Sequence, residues 1–348
     1  MNSTLQSGTT ILGGKYRIEK VLGKGGFGIT YLATQVNLNR RVAIKEFFLS
    51  SYCSRAKGRQ EVRTSIARND AMVRKYCGKF IREAQMIAEM EHPNIVPVYD
   101  VFEDNGTAYY VMKYIEGSSL DEILAENGPL EEDVAVDYIS QIAGALDYVH
   151  SNNTLHLDIK PSNILISGEK AILIDFGVSK HYDSRGTQTS STPVGFSVGY
   201  APLEQCRGDI CTFTPATDIY SLSATFYKML IGVVPPSAGE IYETGLQEID
   251  SKFSPGVRDA IRAGMSVSKN ARPQNISAFL GILHNEPFVD NVEYDEVVEY
   301  DVVVEDEPMH NAAVIPSTTK RGPYRPVLIA ILVLVIAVAS FLLFINIF

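Results

Sequence analysis

The stretch His156-Leu157-Asp158-Ile159-Lys160-Pro161-Ser162-Asn163, followed by Asp175-Phe176-Gly177, decides how this chain is read. It sets an acid, a lysine, an amide and a second acid at fixed intervals. Moving a phosphoryl group asks little covalent chemistry of a protein. It needs a base for the acceptor hydroxyl, oxygen ligands for a divalent cation, and positive charge against the phosphates. Asp158 is expected to take the hydroxyl proton, and Lys160 to face the γ-phosphate. Asn163 and Asp175 supply hard oxygen ligands that suit Mg2+, with Mn2+ as the alternative ion.

Upstream, Gly23-Lys24-Gly25-Gly26-Phe27-Gly28 lies between the alternating run Tyr16-Arg17-Ile18-Glu19-Lys20-Val21-Leu22 and the apolar Ile29-Thr30-Tyr31-Leu32-Ala33. The pattern predicts a strand, a glycine turn and a second strand. Such a turn brings backbone N–H groups close to phosphate oxygens. A dinucleotide-binding fold uses the same glycine spacing but needs a helix next, whereas Arg41-Val42-Ala43-Ile44-Lys45 continues as strand. Lys45 is expected to contact the α- and β-phosphates and to pair with a helix glutamate. Glu83 is the candidate, on a predicted helix Phe80–Met90 whose apolar stripe is Phe80, Ala84, Ile87 and Ala88.

On these motifs, residues from Tyr16 to His284 resemble a bacterial serine/threonine protein kinase of the eukaryotic-like type. The resemblance implies an α+β, bilobal protein-kinase fold over residues 15–285. A small β-rich N-lobe (15–115) would precede a larger α-helical C-lobe (116–285), with a disordered start over residues 1–14. It implies ATP as phosphoryl donor and protein substrates as acceptors, with autophosphorylation. Gly23, Lys24, Gly25, Gly26, Phe27, Gly28, Ala43 and Lys45 would line the ATP site. Met112 would stand beside adenine, and the backbones of Lys113 and Ile115 would bond its edge. Asp158, Lys160, Lys45 and Glu83 form the expected catalytic set, and Asn163 and Asp175 the metal set. Asp218 matches the family's buried anchor of the catalytic loop, and Arg272 the partner of Glu204 at the end of the activation segment. Lys160 and the hydroxyl of Ser197, expected to bond Asp158, imply serine or threonine as acceptor.

Two positions depart from the family pattern. The segment that usually reads Ala-Pro-Glu is Pro202-Leu203-Glu204, which alters packing and keeps the charge. Where many relatives carry arginine before the catalytic aspartate, this chain has Leu157. That arginine receives an activation-loop phosphate through bidentate hydrogen bonds, which leucine cannot make. The hydroxyls Ser179, Ser184, Thr187, Thr189, Ser190, Ser191 and Thr192 therefore read as autophosphorylation candidates outside the usual arginine switch, or as a plain polar loop.

Helical patterns are clear at 133–143 and 219–230. Residues 50–79 carry eight Lys/Arg against Glu61 and Asp70, and read first as a solvated surface loop leading into a helix. The alternative is a docking surface for an acidic partner or headgroups. Residues 286–307 hold ten Asp/Glu and no Lys/Arg, matching in size the chain's net charge of −10, and read as a spacer in an acidic-then-basic linker, 286–326. Contact between this segment and the basic insertion is a further expectation.

Val327 to Phe348 is uncharged over 22 residues. As a helix it spans about 33 Å, enough for a bilayer core of about 30 Å. Lys320, Arg321 and Arg325 precede it, which predicts a single-pass cell-membrane anchor with the kinase facing the cytoplasm. A homodimer through this helix would lack a Gly-x-x-x-Gly face. Met1 to Gly14 shows no signal-peptide pattern and no myristoylation glycine. Cys53, Cys77, Cys206 and Cys211 match neither a disulfide framework nor a zinc knuckle. No nucleic-acid partner is expected. Against the active kinase stand a pseudokinase scaffold that binds ATP without efficient transfer, which would normally have lost Lys45, Asp158 or Asp175, and a small-molecule phosphotransferase on the same fold.

Overall fold

Residues at period two build the first layer of the fold, because alternate side chains of a strand face one side of the sheet. In a computed structural model of the protein, which describes residues 4–56, 58–176, 180–181, 196–207 and 213–285, this layer is an antiparallel six-stranded sheet. Its order is β1 (Thr10–Ile11), β2 (Tyr16–Lys24), β3 (Gly28–Gln35), β4 (Arg40–Phe47), β8 (Thr107–Lys113) and β7 (Val98–Asp104). Between β4 and β7 lie a hairpin, β5 (Cys53–Arg55) and β6 (Val62–Thr64), and helix α1 (Asp70–Ala88). Helix α1 buries Phe80, Ala84 and Ile87, and the Phe80 ring lies 5.1 Å from that of Tyr110 and 5.7 Å from that of Phe47. Ala88, expected on the same stripe, is exposed, since the helix ends there and its last turn leaves the sheet.

Two expectations need correction. Residues 4–14, read as a disordered start, are fastened to the sheet: Leu5 and Ile11 are buried in its core, and β1 pairs with β2. The Leu5 N–H donates to the Tyr31 hydroxyl at 3.1 Å. Residues 50–79, read as a solvated loop, supply one buried cation. Arg55 is 2% exposed and donates to the Glu46 carboxylate, itself fully buried on β4. Tyr31 and Tyr109 also donate hydroxyls to Glu46, at 2.8 and 2.6 Å. A buried carboxylate is costly unless paired and hydrogen-bonded, and the hairpin brings the guanidinium that meets this requirement.

The second lobe opens with β9 (Ser118–Ser119) and α2 (Leu120–Asn127), started by a Ser119/Glu122 capping box. Helix α3 (Glu132–Ser151), β10 (Thr154–Leu155), and the hairpin β11 (Ile164–Ser167) and β12 (Lys170–Leu173) follow. Strand β13 (Lys180–His181) pairs with β10. Helices α4 (Leu203–Cys206), α5 (Pro215–Ile231), α6 (Ala238–Thr244), α7 (Pro255–Gly264) and α8 (Ile276–Leu283) complete the lobe. Helix α5 is buried along its length, its polar Thr217, Asp218, Ser221, Ser223 and Thr225 included, with α3 and α7 against it. Among the described residues no helix is long and apolar enough to cross a membrane. The apolar span 327–348, the linker 286–326 and the hydroxyls from Ser179 to Thr192 lie outside the described residues.

Candidate active site

The catalytic loop begins from a buried carboxylate. Asp218, on the first turn of α5, is fully buried and accepts the backbone N–H groups of His156 at 2.9 Å and Leu157 at 2.8 Å. His150 Nε2 lies 2.8 Å from the same carboxylate. Burial opposes its charge, but these bonds outweigh burial and hold its pKa below the usual carboxylate value. Leu157 sits at φ +65°, where a non-glycine residue costs about 1–3 kcal/mol. Its N–H bond to Asp218 and the 2.7 Å bond from Gln205 Nε2 to its carbonyl hold it there. The side chain packs with Leu155 and Phe213. Leucine therefore fills its place with apolar packing.

This loop aims Asp158 into a cluster of donors. Lys160 Nζ donates to both carboxylate oxygens, at 3.0 and 2.8 Å. The Ser197 hydroxyl donates to Oδ1 at 2.8 Å and accepts from Lys160 at 2.8 Å. Asn163 Nδ2 donates to the Asp158 carbonyl at 2.8 Å and to Oδ2 at 2.9 Å. Its amide nitrogen being committed, Asn163 is left with Oδ1 as a ligand atom. With the Asp175 carboxylate this makes two hard oxygen donors, the number that suits a Mg2+ whose remaining ligands are water and phosphate. Among the described residues no group of three or more His, Cys, Asp or Glu side chains could hold a metal ion.

Phe176 is 1% exposed, its ring 4.5 Å from that of His156, in the same core cluster as Ile87 of α1. Burial holds His156 below the ordinary imidazole pKa, and its Nδ1 accepts the Asp158 N–H at 3.2 Å. Packing Phe176 inward leaves Asp175 facing the cleft between the lobes, where it meets Lys45 at 2.5 Å.

The Lys45–Glu83 pair is the correction at this site. Lys45 is bound to Asp175, and Glu83 makes no ion pair among the described residues. The nearer carboxylate captures the single ammonium. Burial disfavours the charge on Lys45, but Asp175 and then Tyr110 and Glu83 raise its pKa above the ordinary lysine value. Glu83 carries the complementary effect: burial pushes its pKa from 4.5 to about 8, Lys45 partly opposes, and the Asp175 charge adds to the rise.

The glycine turn forms as the pattern predicts, yet glycine serves a different purpose there. None of its four glycines has positive φ. Gly28 instead permits close approach, since a Cβ would stand 2.7 Å from the Glu46 carbonyl. Lys24 ends β2, and Phe27 is 57% exposed at the tip. Ala43 is buried on β4 opposite Met112 of β8, and Lys113 and Ile115 follow into the connection between the lobes.

Three residues at this site escaped sequence reasoning. Tyr110 is the register partner of Lys45, a relation only strand pairing creates. Ser50, the first residue of the basic insertion, ties the turn down: its N–H donates to the Gly26 carbonyl and its hydroxyl to that of Gly25, both at 3.1 Å. Gln205 holds Leu157 from 48 residues away. Glu204 and Arg272 meet as expected, Nη1–Oε1 at 2.7 Å and Nη2–Oε2 at 3.1 Å, with the guanidinium also bonding the carbonyls of Ala216, Ser266 and Val267.

A family model described as "Protein kinase domain" matches residues 16–282. Serine/threonine-protein kinase PrkC of Bacillus subtilis (strain 168) is 36% identical over 225 residues, which is 64% of this chain and 31% of that protein. Serine/threonine-protein kinase PknB of Mycobacterium leprae (strain TN) is 32% identical over 234 residues, 66% of this chain and 34% of that protein. The chain thus spans about a third of the length of these curated relatives. A solved structure titled "PpkA-294 apo form" superposes with a TM-score of 0.71 at 27% identity, over 81% of this chain and all of that one. With the catalytic loop, the inward Phe176 and a family match over most of its length, the chain belongs to the protein kinase domain family.

Proposed function

We propose that the chain is an ATP- and Mg2+-dependent serine/threonine protein kinase, with Asp158 as the base and the membrane as its site of action. The observation that carries this reading is the Asp158 carboxylate held by Lys160, Ser197 and Asn163 in one hydrogen-bonded cluster. Asp158 takes the proton from the acceptor hydroxyl as that oxygen bonds to the γ-phosphorus and the bond to the β-phosphate oxygen breaks, releasing ADP, and Asn163 and Ser197 fix the carboxylate's orientation. Lys160 turns from Asp158 toward the γ-phosphate, and Lys45 holds the α- and β-phosphates. Asn163 Oδ1 and Asp175 would hold Mg2+, which when bound neutralises charge on the β- and γ-phosphates. Protein acceptors are supported by Ser197 and by the relatives' names.

Labelled phosphate transfer from ATP-Mg2+ to a generic protein substrate and to the chain itself tests the reading. Asp158→Asn is expected to lower transfer by about 10²–10⁴-fold. Equal transfer by both forms would remove Asp158 as base, and none by either, with the full chain in lipid, would favour the ATP-binding scaffold. Membrane anchoring rests on the uncharged Val327–Phe348 and the preceding Lys320, Arg321 and Arg325. The full chain should resist alkaline extraction from membranes, and residues 1–326 should be released; equal behaviour would sink the anchor.

A further inference from the structure

Along the connection between the lobes lies a cleft of about 500 Å3 that shares no catalytic or metal-binding side chain with the active site, although it is lined by Lys113 and Ile115, whose backbones face adenine in the kinase reading. Its floor is apolar, formed by the buried Ile115 and Ile172, which pack together with Val96. Its rim is basic. Arg40 and Arg41 come from the start of β4, Lys113 from the end of β8 and Lys170 from the start of β12. All four are exposed, and among the described residues Lys113 and Lys170 pair with no carboxylate. Glu116 is the one acid in the lining, and it is ion-paired with Arg41.

Two of the cations are pre-arranged. The Arg40 guanidinium lies 4.1 Å above the centre of the Tyr99 ring, and that of Arg41 5.2 Å above the ring of Tyr114. Stacking on a ring holds a long side chain in place and lowers the entropy lost when an anion binds. The cations are drawn from both lobes, although the chain as a whole is acidic, with a net charge of −10. A neighbouring cavity shares Ser167 and Lys170 but adds Asp137 and Glu169, so the basic stretch ends there.

We propose that this cleft docks an extended acidic segment of the protein substrate. An extended chain alternates its side chains, so acids spaced by one residue would meet the basic rim while the apolar residues between them settle on Ile115 and Ile172. Charge complementarity favours this occupant over a basic or apolar one. The proposal rests on the kinase reading for its biological sense and on the cleft alone for its binding chemistry.

The test uses the full chain in detergent micelles and a fluorescein-labelled octapeptide of alternating glutamate and valine. Anisotropy should report saturable binding that weakens about tenfold in Arg40→Glu/Lys170→Glu, and weakens likewise when salt is raised. Lys170→Glu alone, at the exposed start of β12, should show part of the same loss. In phosphate transfer, a serine peptide extended by this segment should have a lower KM than the bare peptide. kcat should be equal, and the advantage should vanish in the double variant while the bare peptide's kinetics stay unchanged. Equal binding by wild type and variant overturns the proposal. So does binding that emerges only when residues 286–307 are removed, since the occupant would then be the chain's own acidic stretch. Charge-dependent docking without transfer to either peptide leaves the cleft standing and sinks the kinase reading; transfer without docking does the reverse.

Discussion

Glu83 shows how one side chain reports the state of the whole site. Burial raises its carboxyl from an ordinary 4.5 to about 8, with Lys45 only partly opposing and the Asp175 charge adding to the rise. Below 4.5 the folded and unfolded forms both hold this proton, and it contributes nothing to the pH dependence. Between 4.5 and about 8 only the folded form holds it, so stability falls as pH rises through that window and levels off above it. Glu83→Gln mimics the neutral acid, and its melting temperature should fall less than the wild type's between pH 5 and 8.5; parallel curves would refute the buried neutral carboxyl. Leu157 makes a second prediction at this scale. Its side chain is 1% exposed among Leu155 and Phe213, and it offers no guanidinium to a loop phosphate. Phosphatase treatment of the purified chain should leave its kinase activity unchanged, whereas a large loss would point to a phosphate receptor elsewhere.

Among elements, the β5–β6 hairpin has the clearest energetic signature. Arg55 is the cation beside a fully buried Glu46 on the strand that carries Lys45. Removing one partner of a buried pair leaves an uncompensated charge and costs about 3–5 kcal/mol. Arg55→Ala should therefore lose most of that in denaturant unfolding, and Arg55→Met with Glu46→Gln should recover much of it, because the double change removes both charges. A double variant no more stable than Arg55→Ala would mean that the hairpin acts through shape rather than charge. The turn before α4 offers a backbone counterpart. Gly199 has φ +85° and would place a Cβ 2.6 Å from Val234 Cγ1, so Gly199→Ala should cost at least about 1 kcal/mol in the same assay.

At the scale of the molecule, the N-terminal lobe is completed by its own start. Leu5 and Ile11 enter the core that contains Tyr16, Tyr31 and Phe47, and burying such side chains contributes about 1.5–3 kcal/mol each. Deleting residues 1–14 should lower the unfolding free energy by a few kcal/mol and lower the affinity for ATP, as β2, which leads into the glycine turn, loses its edge partner. Unchanged unfolding would show that the segment is dispensable. The other lobe is tied through Arg272, all of whose donor groups are engaged between Glu204 and three backbone carbonyls.

Spacing in the sequence determined the catalytic loop, Asp175-Phe176-Gly177, the glycine turn and the lysine strand, because these functions fall within short runs whose chemistry is local. Periodicity likewise marked α3 and α5, whose apolar faces are written in consecutive turns. Tertiary structure alone decided which carboxylate Lys45 meets, because Asp175 lies 130 residues away and Glu83 is equally acidic on paper. It also turned a run of basic residues into a hairpin with one buried arginine, since charge count cannot say which cation finds a buried carboxylate. The start of the chain looked unstructured for the same reason: Leu5 and Ile11 have no periodic neighbours, and their partners are strands that only folding brings beneath them.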